Sequence, residues 1–390
     1  MAAQLEKMTV CGLMSGTSLD GVDVAIVELN QSSGKIDFKL LFFNTIDYEP
    51  QLKEKLQKVV LPNSQTPEIS SMNMLLGEVY ANAVLNTIDK AGLKKEDIDL
   101  ISSHGQTIFH EPVKREIDRY HRPNTLQIGD IGVIAELTGI PTIGDFRTRD
   151  VAVGGQGAPL VPFADFHLFR SEEYGRALVN IGGITNFTIL PPNSRQDDVI
   201  AYDTGPGNML IDAFVEFYTN GKQHYDADGH LASQGKINEK WLEGLLKHPY
   251  YAKEAPKSTG REEFGKDYAE LLWEQGHDLG ITELDRISTI TALTARTLAF
   301  ELNKFIAKSQ VHEVYISGGG VHNQTLLNEI DRHLYNGIKV RKIEELGMSS
   351  DAKEAVVFAL LGYLGFQKQY NNLPQATGAA KEVVMGKISW

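Results

Sequence analysis

The sequence predicts an α/β protein built from two tandem copies of one domain, each a mixed sheet flanked by helices. Three observations carry this reading. Apolar runs with strand-type and helix-type spacing follow the same order in both halves of the chain. A turn rich in glycine links the first two strands of each half, at Ser15–Val22 and again at Asn180–Gly183. The chain has 390 residues, 42% hydrophobic and 23% charged, which is enough for two cores of ordinary soluble composition.

In the first half, strands are expected at Thr9–Leu13, Val22–Leu29 and Ile36–Phe43, then an amphipathic helix over Ile69–Ala91. A strand at Asp97–Ser103, a short helix at Ile131–Leu137 and a strand at Thr142–Asp145 complete it. The second half repeats the order with strands at Ala177–Ile181, Phe187–Leu190 and Val199–Tyr202 and a helix over Met209–Tyr218. After an insert come a long helix (Ile287–Ala307), a strand (Glu313–Ile316), a helix (Thr325–Leu334), a strand (Ile338–Arg341) and a last helix from Asp351. Each half reads β-β-β-α-β-α-β, the order of ribonuclease-H-like domains in actin, hexokinase and Hsp70-type ATPases. Such a pair places its ligand in a cleft between the domains. The expected division is 1–146 for an N-terminal domain, with a tail of about 370–390 packing back on it, and 147–369 for a C-terminal domain with a helical insert. The Gly-rich stretch Val153–Leu160 is expected to be a hinge.

The formal charge of −13, with no run of Lys and Arg, argues against nucleic acid as a partner. A single cysteine, Cys11, excludes an intrachain disulfide and a thiolate metal cluster, and its place in a strand predicts a small buried residue. The longest apolar stretch, Ala355–Phe366, is 12 residues with two glycines, too short to span a bilayer and suited to a buried helix. Met1–Met8 has no apolar signal core, so a cytoplasmic protein that does not associate with membranes is expected.

The turn between the first two strands, Ser15-Gly16-Thr17-Ser18-Leu19-Asp20-Gly21-Val22, gathers backbone N–H groups and hydroxyls that suit phosphate oxygens. Asp20 fits either a magnesium held through water or the positioning of a nucleophile. The turn at Asn180, Gly182 and Gly183, and a third at Ser317-Gly318-Gly319-Gly320 between a strand and a helix, let the backbone approach a nucleotide. Asp203 ends a strand ahead of Gly205-Pro206-Gly207 and a helix, the usual place of a general base in phosphoryl transfer; an Asx-turn or helix cap is the alternative. His104 and Gln106, in Ser103-His104-Gly105-Gln106-Thr107, suit sugar hydroxyls or a plain loop. Arg147 and Arg149, beside Asp145 and Asp150, fit an anion clamp or a structural ion cluster. Thr259 and Glu262 form a Thr-x-x-Glu capping box, with Lys257 and Arg261 adding anion affinity. Glu354 is a first-turn acid of the last helix, and Asp226–Gly229 is a turn rather than a calcium loop. Walker, nucleophile-elbow and dinucleotide signatures are absent from the sequence.

Taken in order, Gly12–Gly21, Ser103–Thr107, Asp145–Asp150, Gly154–Leu160, Asn180–Gly183, Asp203–Asn208 and Lys257–Glu262 resemble the motifs of the anhydro-N-acetylmuramic acid kinase family over nearly the whole chain. The resemblance implies ATP with Mg²⁺, 1,6-anhydro-N-acetylmuramic acid as substrate, a homodimer, and a role in bacterial cell-wall recycling and amino-sugar catabolism. It implies that water opens the anhydro bridge while the γ-phosphoryl passes to O6, with Asp203 activating that water. It further implies phosphate loops at Ser15–Val22 and Asn180–Gly183, an adenosine loop at Ser317–Gly320, and sugar contacts from His104, Gln106, Arg147 and Glu354. The alternatives are a kinase of the same fold for another sugar and an ATPase switch of the actin or chaperone kind.

Overall fold

The computed structural model describes residues 7–16, 18–32, 35–113 and 119–390, so Thr17 of the first expected phosphate loop lies outside the described residues. Among the described residues twelve strands run in chain order: β1 (Lys7–Ser15), β2 (Gly21–Ser32), β3 (Lys35–Asp47), β4 (Leu100–Glu111), β5 (Asn124–Ile128), β6 (Thr142–Gly144), β7 (Arg176–Ile181), β8 (Ile184–Leu190), β9 (Ile200–Pro206), β10 (Glu313–Ser317), β11 (Val340–Lys342) and β12 (Lys387–Ser389). They form two sheets. The chain divides into one unit of Met1–Leu168 with Ala352–Trp390, and a second of Phe169–Asp351.

The first unit holds the sheet β12-β6-β4-β1-β2-β3, with β5 paired to β4. β1 is antiparallel to β2 and parallel to β4, and β4 is parallel to β6. The second unit holds β11-β10-β7-β8-β9, with β7–β8–β9 antiparallel and β7–β10–β11 parallel. Apart from β5 and β12, each sheet follows the order third, second, first, fourth, fifth of its own strands, and this is the ribonuclease-H-like order. The predicted duplication is therefore real at the level of topology. Among the elements not anticipated from the sequence are the hairpin strand β5, the three-residue edge strand β12, and the helices Pro50–Val59 and Arg147–Ala152.

Central strands must be apolar on both faces, because helices cover each side. In β1 the residues from Val10 to Leu13 are all buried, and Cys11 among them is fully enclosed, its thiol pushed up to about 12 by burial. The helix Lys353–Phe366 lies on this strand, and all of its residues from Ala355 to Gly365 are buried. A Cβ at Gly12 would stand 2.1 Å from the Ala355 carbonyl oxygen, so only glycine admits the helix at this depth. In the second unit, Ala177, Val179 and Ile181 of β7 pack with Leu298 and Leu302 of the Glu283–Ile306 helix. A separate cluster around Trp241, Tyr250 and Phe264 fills the insert.

The observed division departs from the expected one at both boundaries. Residues 147–168 stay with the first unit, because the buried Asp150 carboxylate accepts from the Gly157 amide, Asn372 and Thr377. The Gly-rich stretch expected as a hinge is thus tied down inside one unit. The last helix also belongs to the first unit, where Lys353 pairs with buried Asp165 at 3.1 Å and the helix packs against Gly12. The end of the chain returns to the same unit through the antiparallel pairing of β12 with β6.

Gly12→Ala is expected to lower unfolding stability by about 1–3 kcal/mol, the usual cost of overpacking a core. A urea titration followed by circular dichroism measures it, and an unchanged midpoint would mean that the helix shifts freely on β1.

Candidate functional site

In the first unit, the turn from β1 to β2 is fixed from behind. Leu19 adopts φ 58° and its amide reaches the Gly16 carbonyl at 3.4 Å, while Tyr48 donates its amide to the Asp20 carbonyl at 2.8 Å. The Ser15 hydroxyl is buried and contacts the Gly21 carbonyl (3.1 Å), the Tyr48 hydroxyl (2.8 Å) and Gln106 Oε1 (2.6 Å). Gln106 is fully buried and donates its Nε2 to the Gly16 carbonyl at 3.1 Å. Ser15 and Gln106 thus brace the turn, and their polar atoms face its backbone. Gly16 has nothing within 4 Å of where a Cβ would sit, so bare backbone faces outward there. Ser18 and Asp20 are exposed, Val22 is buried, and the Asp20 carboxylate pairs with Lys53.

Behind that turn, His104 Nδ1 lies 3.2 Å from the Ser15 carbonyl and Nε2 lies 2.9 Å from Arg147 Nη2. A guanidinium only donates, so Nε2 must accept and the proton sits on Nδ1. Burial first, and Arg147 second, hold the His104 imidazole down at about 3, so it is neutral at physiological pH. Arg147 also donates to the Gly157 carbonyl at 2.6 Å, and burial lowers its guanidinium to about 10 against the pull of Glu354 and Asp150. Even so lowered, it stays charged at neutral pH. Glu354, in the first turn of the Lys353–Phe366 helix, is exposed at the surface yet surrounded by protein atoms. Loss of hydration lifts its carboxyl above the ordinary range, Asp23 adds to the rise, and Lys353 and Arg147 oppose it. His104, Arg147 and Glu354 therefore share one electrostatic neighbourhood. Arg149 does not join them; it donates to the Val384 carbonyl at 2.6 Å, and Asp145 pairs with Lys387. The two-arginine clamp is not formed.

In the second unit, three turns meet. The Gly207 amide donates to the Gly183 carbonyl and the Asn208 amide to the Gly182 carbonyl, each at 2.8 Å, and Asn208 Nδ2 reaches the Ile181 carbonyl at 3.2 Å. Gly318 adopts φ +81°, and a Cβ there would stand 2.5 Å from Asn180 Oδ1; one at Gly320 would stand 2.4 Å from Ile181. The Ser317–Gly320 turn can therefore lie on Asn180–Gly183 only as glycine. The Ser317 hydroxyl turns inward to the Val179 carbonyl, whereas Gly183 and Gly319 are exposed. A methyl added at Gly182 would find its nearest neighbour 3.6 Å away, which leaves room for a ligand oxygen against the backbone.

Asp203 sits within β9, which continues to Pro206, and is neither an Asx-turn nor a helix cap. Its amide donates to the Lys257 carbonyl at 3.1 Å, its carbonyl accepts from Tyr250 Oη at 2.7 Å, and its Oδ2 accepts the Thr259 amide at 3.0 Å. Burial lifts the Asp203 carboxyl to about 6, the Thr259 N–H opposes this, and Glu262 adds to it. The result is a half-buried carboxylate with a proton affinity close to neutral pH, the property of a general base.

The strap around Thr259 is where sequence reasoning missed most. Thr259 does not cap the Arg261–Phe264 helix in a box with Glu262; its amide holds Asp203 and its hydroxyl donates to Glu263 at 2.9 Å. Lys257 is not an anion-binding side chain, because it is buried against Glu301 at 2.9 Å. No local signal points to either role, since both partners lie more than 40 residues away in sequence (|i−j| 56 and 44). The Asp226 turn does close as a cap, its carboxylate taking the Leu231 and Ala232 amides.

The family model described as Anhydro-N-acetylmuramic acid kinase matches residues 8–390 of this chain. A protein of that name from Caldanaerobacter subterraneus subsp. tengcongensis is 49% identical over 386 residues, covering 98% of this chain and 97% of its own. Proteins of the same name from Clostridioides difficile and Bacillus cereus are 41% identical over 381 residues and 40% identical over 390 residues. The first covers 97% of each chain, the second 98% of this one and 99% of its own.

His104 is expected to stay neutral, with its proton on Nδ1, throughout pH 5–8. Nitrogen-edited NMR of the histidine rings checks this, and a midpoint near the ordinary histidine value of about 6.5 would show that neither the burial nor the Arg147 contact persists in solution.

Proposed function

The chain belongs to the anhydro-N-acetylmuramic acid kinase family, and on that premise we propose that it is an ATP-dependent kinase acting on 1,6-anhydro-N-acetylmuramic acid. It opens the anhydro bridge with water and phosphorylates O6, giving N-acetylmuramic acid 6-phosphate and ADP. The observation that carries this reading is the Asp203 carboxylate. Oδ2 is held by the Thr259 amide, Oδ1 has no partner among the described residues, and the group is lifted to about 6.

In the proposed step Asp203 Oδ1 takes a proton from water as the water oxygen bonds to the anomeric carbon. The C1–O6 bond breaks, its electron pair passes to O6, and O6 receives the phosphoryl group. ATP supplies that group, and Mg²⁺ balances its charge when bound. The backbone at Gly16, Ser18 and Leu19 and at Asn180, Gly182 and Gly183 would hold the phosphates, and Asp20, through water, the magnesium. Ser15 and Gln106 act through the turn they brace, and Thr17 belongs to the same loop. Ser317–Gly320 would face the adenosine. His104, neutral and oriented by the Ser15 carbonyl, would hold Arg147 in place; Arg147 keeps two of its five N–H groups for the sugar's polar substituents. Glu354 would accept from a sugar hydroxyl. No helix among the described residues is long and apolar enough to cross a membrane. We place the enzyme in the cytoplasm, as a homodimer in peptidoglycan recycling.

Asp203→Asn is expected to fold and bind ATP but to lose turnover by about 10²-fold or more, the usual contribution of a general base. For the wild type, kcat/KM falls as pH drops through about 6, because protonation removes the base. Turnover in ¹⁸O-labelled water puts label on the anomeric hydroxyl. Unlabelled product would mean simple phosphorylation of a sugar, and ADP release indifferent to the sugar would mean an ATPase.

A further inference from the structure

Lys257 and Glu301 form a fully enclosed ion pair, their side chains each only 3% exposed and 2.9 Å apart. Burying two charges in this way is costly, and an apolar pair of similar size would serve stability as well. Glu301 projects from the Glu283–Ile306 helix and also accepts from Tyr202 Oη at 2.8 Å and Lys304 Nζ at 2.6 Å. Against the penalty of burial, the bonds from Lys304, Lys257 and Tyr202 hold its carboxyl below the ordinary range. The Lys257 ammonium lies 5.1 Å from the Tyr250 ring and 5.9 Å from the Tyr202 ring.

Apart from Lys304, the partners of this pair sit at Asp203 or beside it in β9. Tyr202 precedes it; Tyr250 donates to its carbonyl; the Lys257 carbonyl accepts its amide; and two residues beyond Lys257, the Thr259 amide holds its carboxylate. We propose that the Lys257–Glu301 pair is a positioning clasp that seats the strap 257–259 on β9 so that the Thr259 amide meets the Asp203 carboxylate. This rests on the reading of Asp203 as the base. Lys257 and Glu301 touch no reacting atom and act through the strap.

The clasp predicts a change in proton affinity as well as rate. The groups facing Asp203 are Glu262, and Tyr250 from the Pro249–Ala252 turn, while Glu263 with its partner Lys253 holds the Thr259 hydroxyl. Behind the strand lie Tyr202, Glu301, Lys257 and Lys304. A small displacement of the strap that breaks the Thr259 bond but leaves the site covered removes the one stabilising N–H from Asp203 while burial and Glu262 remain, so its carboxyl rises further.

The test is Lys257→Met, which fills similar volume and leaves no lone buried charge, because Glu301 retains Lys304 and Tyr202. Glu301→Gln is the second variant, and Lys257→Arg is the charge-preserving control. Asp203 is observed directly by titrating ¹³C-labelled aspartate carboxyls in NMR, with Asp203→Asn for assignment, alongside pH profiles of kcat/KM. In Lys257→Met and Glu301→Gln, the Asp203 midpoint rises and the acid limb moves with it. Their kcat falls by about tenfold, as for loss of a hydrogen bond to a charged group, with KM for ATP unchanged. Lys257→Arg restores much of both. An Asp203 midpoint identical to wild type in both folded variants overturns the clasp. A raised midpoint in these two variants, with turnover unaltered in them and in Asp203→Asn, sustains the clasp and removes Asp203 from the chemistry.

Discussion

Asp203 stands between two opposed influences, and its proton affinity depends on their balance. Burial drives its carboxyl toward the neutral form, and one backbone N–H, that of Thr259, draws it back. With burial alone the group would hold its proton too tightly to act as a base at neutral pH. With several donors it would be too weak a base to take one. The strap that supplies the N–H therefore belongs to the proposed site together with the carboxylate, since its Thr259 amide makes the one bond that lowers the proton affinity of Asp203.

The first unit solves a different problem with the same economy of contacts. Its β1–β2 turn, proposed above to present backbone to phosphate oxygens, has to be rigid without side chains in front of it. Here the stiffness comes from beneath, through Ser15, Tyr48 and Gln106, each buried and each bonded to the others or to the turn. Next to this lies a histidine kept neutral by burial and an adjacent guanidinium, so that it transmits orientation without carrying charge. Beside it, the charges of Arg147 and Glu354 moderate each other.

Much of the site is visible as motif, and the reason is local. Turns proposed to approach a ligand favour glycine, so Gly16, Gly182 and Gly318–Gly320 stand out in any reading of the chain. A carboxylate before a helix start stands out in the same way. The roles of Lys257, Thr259 and Arg149 escape such a reading because each contact is made with a residue distant in sequence. A Thr-x-x-Glu spacing is a sound capping signal, and the competing acceptor that overrides it, Asp203, is 56 residues away.

The secondary-structure order, its repetition, the buried character of β1 and the last helix, and the glycines that mark the turns are all legible along the chain. They follow from periodicity and from the conformational needs of single residues. Tertiary structure decides which unit each segment joins. Residues 147–168 and the last helix belong to the first unit because a buried carboxylate, Asp150, and a missing side chain, Gly12, leave them no equally satisfied place elsewhere. It also decides the charge states of His104 and Asp203. Those depend on dehydration and on which donor lies within about 3 Å, and neither is a property of neighbours along the chain.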